Sequence, residues 1–195
     1  MGDWIIEECI CDFAKWSHKY NVSNFLISIN VSSIQFKNKN FVNYLISVIK
    51  KYGVSPSNIE LEITESVFID NMAEIIRKMK MLKEFGIRFS MDDFGTGFSS
   101  LSYLRELPID TLKIDKSFID NVVTDDSTRT IAESIIDLSK KLGFDTIAEG
   151  VEQELQYSLL KNIGCENIQG FYLGKPMKFE DIEQLLEKYY EFIGD

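Results

Sequence analysis

Six short runs rich in apolar and β-branched residues punctuate the chain: 25–31 (FLISINV), 59–64 (IELEIT), 88–92 (RFSMD), 111–114 (TLKI), 146–149 (TIAE) and 167–170 (NIQG). Between them, apolar residues recur at helical spacing. Ile131, Ile135, Leu138 and Leu142 fall at i, i+4, i+7 and i+11, one face of a helix. Asp126 and Ser127 are placed to cap that helix, and Gly143 to end it. Segments 71–85, 152–163 and 179–190 read the same way. Residues 4–20 form an opening helix with Ile6, Cys9, Ile10 and Phe13 facing inward. Strands alternating with helices imply βαβ units and a parallel sheet. Six strands in 195 residues give ~32 residues per unit, close to the ~31 of a complete eight-unit barrel of ~250 residues. The unit size fits a β/α barrel, and the total is about two units short. The pattern therefore predicts an incomplete, open barrel, with residues 1–195 forming one domain.

The polar residues interrupt this pattern at informative places. Asn30, Glu62, Asp92 with Asp93, Lys113, Glu149 and Gln169 lie in or at the ends of successive strand runs, at intervals of 32, 30, 21, 36 and 20 residues. In a β/α barrel the C-terminal ends of the strands share one face, so Asn30, Glu62, Asp92, Asp93 and Glu149 are expected at a single mouth. Four carboxylates and an amide, with no His or Cys, form a hard oxygen-donor set suited to Mg²⁺ or Mn²⁺. Carboxylates so close stay ionised together only if cations neutralise them. The Asp-Asp pair suits two bridged metals that activate water against a phosphodiester, and Lys113 suits an attacking hydroxide or a phosphate oxygen. Singly, each residue has a plainer role: Asp-Asp as a turn or cap, Glu62 as a solvent-facing strand residue, Lys113 as a snorkelling lysine. Their succession at strand ends favours a shared site. The Gly-rich segment 94–100 (FGTGFSS) lacks the Walker lysine pattern and is expected to be a loop shaping that site.

Composition narrows the partners. With 21 basic and 31 acidic residues the net charge is −10, which argues against a protein that coats DNA. It is compatible with one anionic ligand held through metal ions. Three cysteines (Cys9, Cys11, Cys165) and a lone His18 offer no zinc pattern and suit reduced thiols. No run reaches the length of a membrane span, and neither a signal peptide nor a myristoylation signal is expected at the N-terminus. The chain reads as soluble and cytoplasmic.

At these residues the sequence resembles the EAL-domain family of bacterial cyclic di-GMP phosphodiesterases. Residues 30–35 (NVSSIQ) resemble its NxSxxQ segment, 60–65 (ELEITE) its ELEITE strand, and 91–101 (MDDFGTGFSSL) its DDFGTGYSSL segment. Residues 112–119 (LKIDKSFI), 148–152 (AEGVE), 169–170 (QG) and 175–177 (KPM) continue the likeness, which runs from about residue 4 to 177. The resemblance implies a modified TIM-like (β/α) barrel with a two-metal Mg²⁺ or Mn²⁺ site that hydrolyses cyclic di-GMP to linear pGpG. By position, Asn30, Glu62 and Asp92 resemble ligands of the first metal. Asp92 and Asp93 resemble those of the second, with Glu149 close by. Lys113 matches the lysine near the attacking water, grouped with Glu149 and Glu152 as catalytic residues. Gln35, Glu65, Asp115 and Gln169 match substrate-binding or loop-bracing positions, Glu65 bracing the loop after the acid pair.

The sequence departs from the family at the segment that names it: the 195 residues contain no Glu-Ala-Leu. Residues 2–8 (GDWIIEE) resemble a helix that follows the missing strand, so the barrel is expected to be N-terminally truncated. Two functions follow. One is a phosphodiesterase, in which the chain is a cut from a longer protein or a dimer or domain-swapped assembly through the open edge restores the site. The other is a non-catalytic module binding cyclic di-GMP or a protein. A Mg²⁺-dependent barrel abstracting protons with Lys113 is a third and less favoured reading.

Overall fold

The computed structural model describes residues 2–20, 25–69, 71–95 and 104–193. A single sheet of six strands organises them: β1 (Ile27–Asn30), β2 (Ile59–Thr64), β3 (Arg88–Phe94), β4 (Thr111–Ile114), β5 (Asp145–Ala148) and β6 (Asn167–Ile168). The strands are all parallel and lie in sequence order. Each crossover adds its strand on the same side, so the sheet winds one way and curls into a half-barrel. Among the described residues, β1 pairs only with β2 and β6 only with β5.

The helices are α1 (Gly2–Lys19), α2 (Ser33–Lys37), α3 (Phe41–Tyr52), α4 (Met72–Phe85), α5 (Asp126–Leu142), α6 (Glu154–Asn162) and α7 (Phe179–Ile193). Strand alternation sorts the two faces of the sheet. Ile29, Leu61, Ile63, Phe89, Met91, Leu112 and Ile114 join one continuous core with Ile6 and Ile10 of α1, Leu45 of α3, Met79 and Leu82 of α4, and Ile136 of α5. Each such fully buried side chain contributes roughly 1.5–3 kcal/mol. The opposite face carries Ser28, Asn30, Glu60, Glu62, Ser90, Thr111 and Lys113, which share rows across the sheet. On β2 to β4 the polar residues of this face are buried as well, whereas Ser28 and Asn30 of β1 are exposed.

Local details differ from the sequence expectation. Asp125, not Asp126 or Ser127, caps α5 by accepting from the backbone N–H groups of Ser127 and Thr128, and Gly143 ends the helix in the left-handed region. The buried face of α5 is Ala132, Ile135, Ile136 and Ser139, while Ile131 is exposed. In α1 the inward set is Ile6, Ile10, Phe13 and Ala14, and Cys9 faces out. Residues 33–52 fold into α2 and α3, which the strand-and-helix reading had not singled out.

Candidate functional site

The C-terminal ends of β2 to β5 bring Glu62, Asp92, Asp93, Lys113 and Glu149 together. Lys113 stands at the centre, only 2 % exposed. Its Nζ lies 2.8 Å from Glu62 Oε1, 2.6 Å from Glu149 Oε1 and 3.2 Å from Asp92 Oδ1. Burial works against the ammonium, but its hydrogen bonds to Glu149 and Glu62 outweigh that and hold its pKa well above the ordinary lysine value. The surrounding carboxylates therefore favour the ammonium form of Lys113. A proton-abstracting role needs the free amine, which this surround opposes.

Strand geometry would normally send consecutive side chains to opposite faces. Here β3 escapes that rule. Met91 pairs with Leu112 and Phe94 with Ile114, so three residue steps on β3 face two on β4, the signature of a β-bulge. Within the bulge Asp93 adopts φ 55°, a left-handed conformation that aspartate and asparagine enter more readily than other non-glycine residues. The result is that carboxylate oxygens of Asp92, Asp93 and Glu149 all lie within 4.8 Å of one another. Burial pushes the Glu149 carboxyl up; Lys113 pulls it part of the way back, and Asp92 and Glu62 push it further. Asp93 is raised by burial and by Asp92 and Asp115. Asp92 Oδ1, though within ion-pair range of Lys113, lies outside hydrogen-bonding geometry and is a buried oxygen with no donor.

Four carboxylates around one ammonium leave a formal charge of −3. Glu62 is buried, Asp92 and Glu149 are partly buried and Asp93 is exposed, and further positive charge would relieve their mutual repulsion. Oxygen-only ligands, an undonated Asp92 oxygen and three carboxylates within reach of one ion fit a hard divalent cation.

The remaining expected residues divide. Asn30 ends β1 in register with Glu62, beside the cluster. Glu152 and Gln169 line an adjoining cleft of about 280 Å³ with Glu149, Gly150 and Phe171. Glu152 pairs there with Lys116, not Lys113. Gln35 forms a capping box at the start of α2, its Oε1 accepting from the Ser32 hydroxyl at 2.8 Å. Asp115 accepts from the Ser117 N–H and starts the 3₁₀ turn 116–118. Glu65 opens the 3₁₀ turn 65–68 after β2. Of the Gly-rich segment it was expected to brace, residues 96–100 lie outside the described residues.

Two polar features went unremarked in the sequence. Glu60, wholly buried one row beneath Glu62, accepts from the hydroxyls of Ser28 (3.1 Å) and Thr111 (2.8 Å), and burial raises its pKa despite these bonds. The alternation of IELEIT already placed Glu60 and Glu62 on one face. Lys116 was visible only as a motif residue, and its partner comes from 36 positions away.

A curled, parallel β/α half-barrel with an acidic site at its strand ends defines the class. Residues 1–176 match the EAL domain family, and the chain belongs to that family. It is 41% identical over 187 residues to the signaling protein YkoW of Bacillus subtilis, covering 95% of this chain and 23% of that protein. It is 31% identical over 188 residues to a cyclic di-GMP phosphodiesterase of Pseudomonas aeruginosa, covering 96% of this chain and 32% of that protein. Among solved structures, the PaMucR phosphodiesterase in its c-di-GMP complex superposes with a TM-score of 0.88 at 34% identity, covering 93% of this chain and 73% of that one. The chain spans about a quarter to a third of the length of these two curated relatives. Among the described residues no helix is long and apolar enough to cross a membrane.

Proposed function

We propose that this domain hydrolyses one phosphodiester of cyclic di-GMP to linear pGpG in the cytoplasm, using two Mg²⁺ or Mn²⁺ ions. The observation that carries this reading is the cluster of Glu62, Asp92, Asp93 and Glu149 around Lys113, with its excess of three negative charges. Asn30, Glu62 and Asp92 would hold one ion, and Asp92, Asp93 and Glu149 the other. Bound there, the ions supply charge neutralisation for the phosphodiester and a water acidic enough to ionise near neutral pH. Lys113 Nζ would position the attacking oxygen by donating to it and stabilise charge on the phosphoryl oxygens. Incubation of the protein with Mn²⁺ and cyclic di-GMP should release pGpG, and omission of the metal should abolish it.

One observation favours a second reading, a module that binds cyclic di-GMP without turnover. Among the described residues β1 has a strand partner on one side only. Free edges of this kind invite pairing with a second copy, as a homodimer or a domain swap. Calorimetry with cyclic di-GMP in Ca²⁺ separates the readings: heat without pGpG in Mn²⁺ marks a binder, and sedimentation in the same buffers reports the assembly.

A further inference from the structure

The cleft beside the carboxylate cluster contains a lysine to which the proposed chemistry assigns no task. Lys116 follows β4 and its ammonium reaches Glu152, with Asp120 at 3.8 Å on its other side. Both members of the Lys116–Glu152 pair are about half exposed and line the same cleft as Gln169 and the half-exposed ring of Phe171. Exposed pairs of this type are weak, so a ligand that matches both groups opens the pair readily.

The backbone beneath is built to present the two groups. The Asp115 side chain fixes the turn that carries Lys116. Gly150 sits at φ +69°, and a β-carbon there would come within 2.7 Å of Lys116 Cδ and 2.8 Å of its Cβ. The stem of Lys116 therefore lies directly on Gly150, two residues before Glu152. Gly170 similarly lets the segment after β6 press on the backbone of Val151.

We propose that Lys116 is a specificity-determining residue that reads a guanine edge together with Glu152; this rests on cyclic di-GMP being the ligand. Guanine presents O6, an acceptor, next to N1–H and the 2-amino group, both donors. An ammonium and a carboxylate one hydrogen bond apart match that order: Lys116 donates to O6 while Glu152 accepts from N1–H and the 2-amino group. Adenine presents the reverse order, a donor at position 6 and an acceptor at N1, and sets like against like. The Phe171 ring offers the base a flat face to stack on.

The test is calorimetry on the whole protein in Ca²⁺, with cyclic di-GMP and with its 6-thioguanine analogue. The analogue keeps N1–H and the 2-amino group but has a weaker acceptor, sulfur, in place of O6. Lys116→Met should weaken cyclic di-GMP binding about tenfold and make the protein indifferent to the exchange of oxygen for sulfur. Lys116→Arg, which keeps the donors, should restore most of the affinity. Equal weakening of both ligands with the oxygen–sulfur preference intact would overturn base reading in favour of a phosphate contact. Unchanged cyclic di-GMP affinity in Lys116→Met would overturn any contact. An unaltered protein that gives no heat with cyclic di-GMP would overturn the ligand itself and this assignment with it, whereas binding by the unaltered protein combined with either preceding result overturns Lys116 alone.

Discussion

Two buried lysines in this fold each face three oxygens, and they are not equivalent. Lys78 of α4, 3 % exposed, donates to the backbone carbonyls of Phe36, Lys37 and Asn38, each at 3.0 Å. Those carbonyls close the end of α2, where the helix dipole places partial negative charge. Three neutral acceptors satisfy one ammonium, with Glu74 at 3.5 Å as its only ion-pair partner among the described residues. Lys113 hydrogen-bonds to Glu62 and Glu149 only and meets Asp92 as an ion pair, among carboxylates that bring more charge than it cancels. The first arrangement is complete as it stands. The second leaves an Asp92 oxygen without a donor and the charge unbalanced, which distinguishes a structural clamp from a site suited to cations.

The contrast breaks most directly at Lys113. Lys113→Met leaves Glu62, Asp92 and Glu149 grouped around no cation, and the metal-free protein should lose about 3–5 kcal/mol in urea unfolding. Mn²⁺ should stabilise this variant more than the unaltered protein, because an added ion now meets one more unbalanced charge. Hydrolysis should vanish even with Mn²⁺ bound. A variant of unchanged stability with an unchanged Mn²⁺ response would mean the carboxylates do not compete for positive charge.

Lys78→Met keeps the buried stem and removes the donor from three carbonyls. A loss of about 2–4 kcal/mol is expected, from the unpaired carbonyls alone. The stabilisation conferred by Mn²⁺ should match that of the unaltered protein, measured as the difference between urea curves with and without metal. If the Mn²⁺ response falls together with stability, the two lysines are coupled through α2 and the division between clamp and site is wrong.

The sequence displays the site better than the packing that supports it. Parallel strands covered by helices read as apolar runs, and a polar residue at the end of such a run is conspicuous; this is how Glu62, Asp92 and Glu149 could be assigned to one mouth. The partners of Lys113 are a different matter. They lie on β2, β3 and β5, and which oxygens meet its ammonium depends on the register of four strands and on one bulge in β3. Periodicity gives the face of a residue and nothing about what lies across it. The same limit explains α5, where Ser139 is buried and Ile131 exposed: the helix seats on β4 and β5 through Ala132, Ile135, Ile136 and Ser139. The left-handed Asp93 has no marker in composition, since Asp-Asp before Phe-Gly fits an ordinary turn equally well.

Glu60 sharpens the contrast within one strand. Its carboxyl meets two hydroxyls and no ammonium, and burial raises its pKa above the ordinary 4.5. A raised folded-state value means the native protein holds its proton longer than the unfolded chain. Stability is then present in full below 4.5 and drains as pH climbs through the elevated value. Glu149 and Asp93 are raised and act with the same sign. The metal-free protein should therefore be less stable at pH 8 than at pH 5, and Mn²⁺ should cancel the part owed to Glu149 and Asp93. Glu60→Gln should remove a further part over that range, with or without metal. A pH slope that Mn²⁺ removes entirely would show that Glu60 contributes none of it.

The smallest effect concerns Lys116, a half-exposed lysine with one close carboxylate, intermediate between clamp and site. Gly150→Ala acts on it without touching its charge. Alanine at φ +69° costs roughly 1 kcal/mol, and its β-carbon displaces the Lys116 stem, which is flexible enough to move away. Stability should fall by about that backbone cost, and the Mn²⁺ response should stay intact because the carboxylate cluster is not displaced. Cyclic di-GMP affinity should drop by the same factor as in Lys116→Met, and the double variant should bind no more weakly than either single one. Additive losses would separate the glycine from the lysine, and would mean that Gly150 serves the cleft through its own backbone and not by seating Lys116 against Glu152.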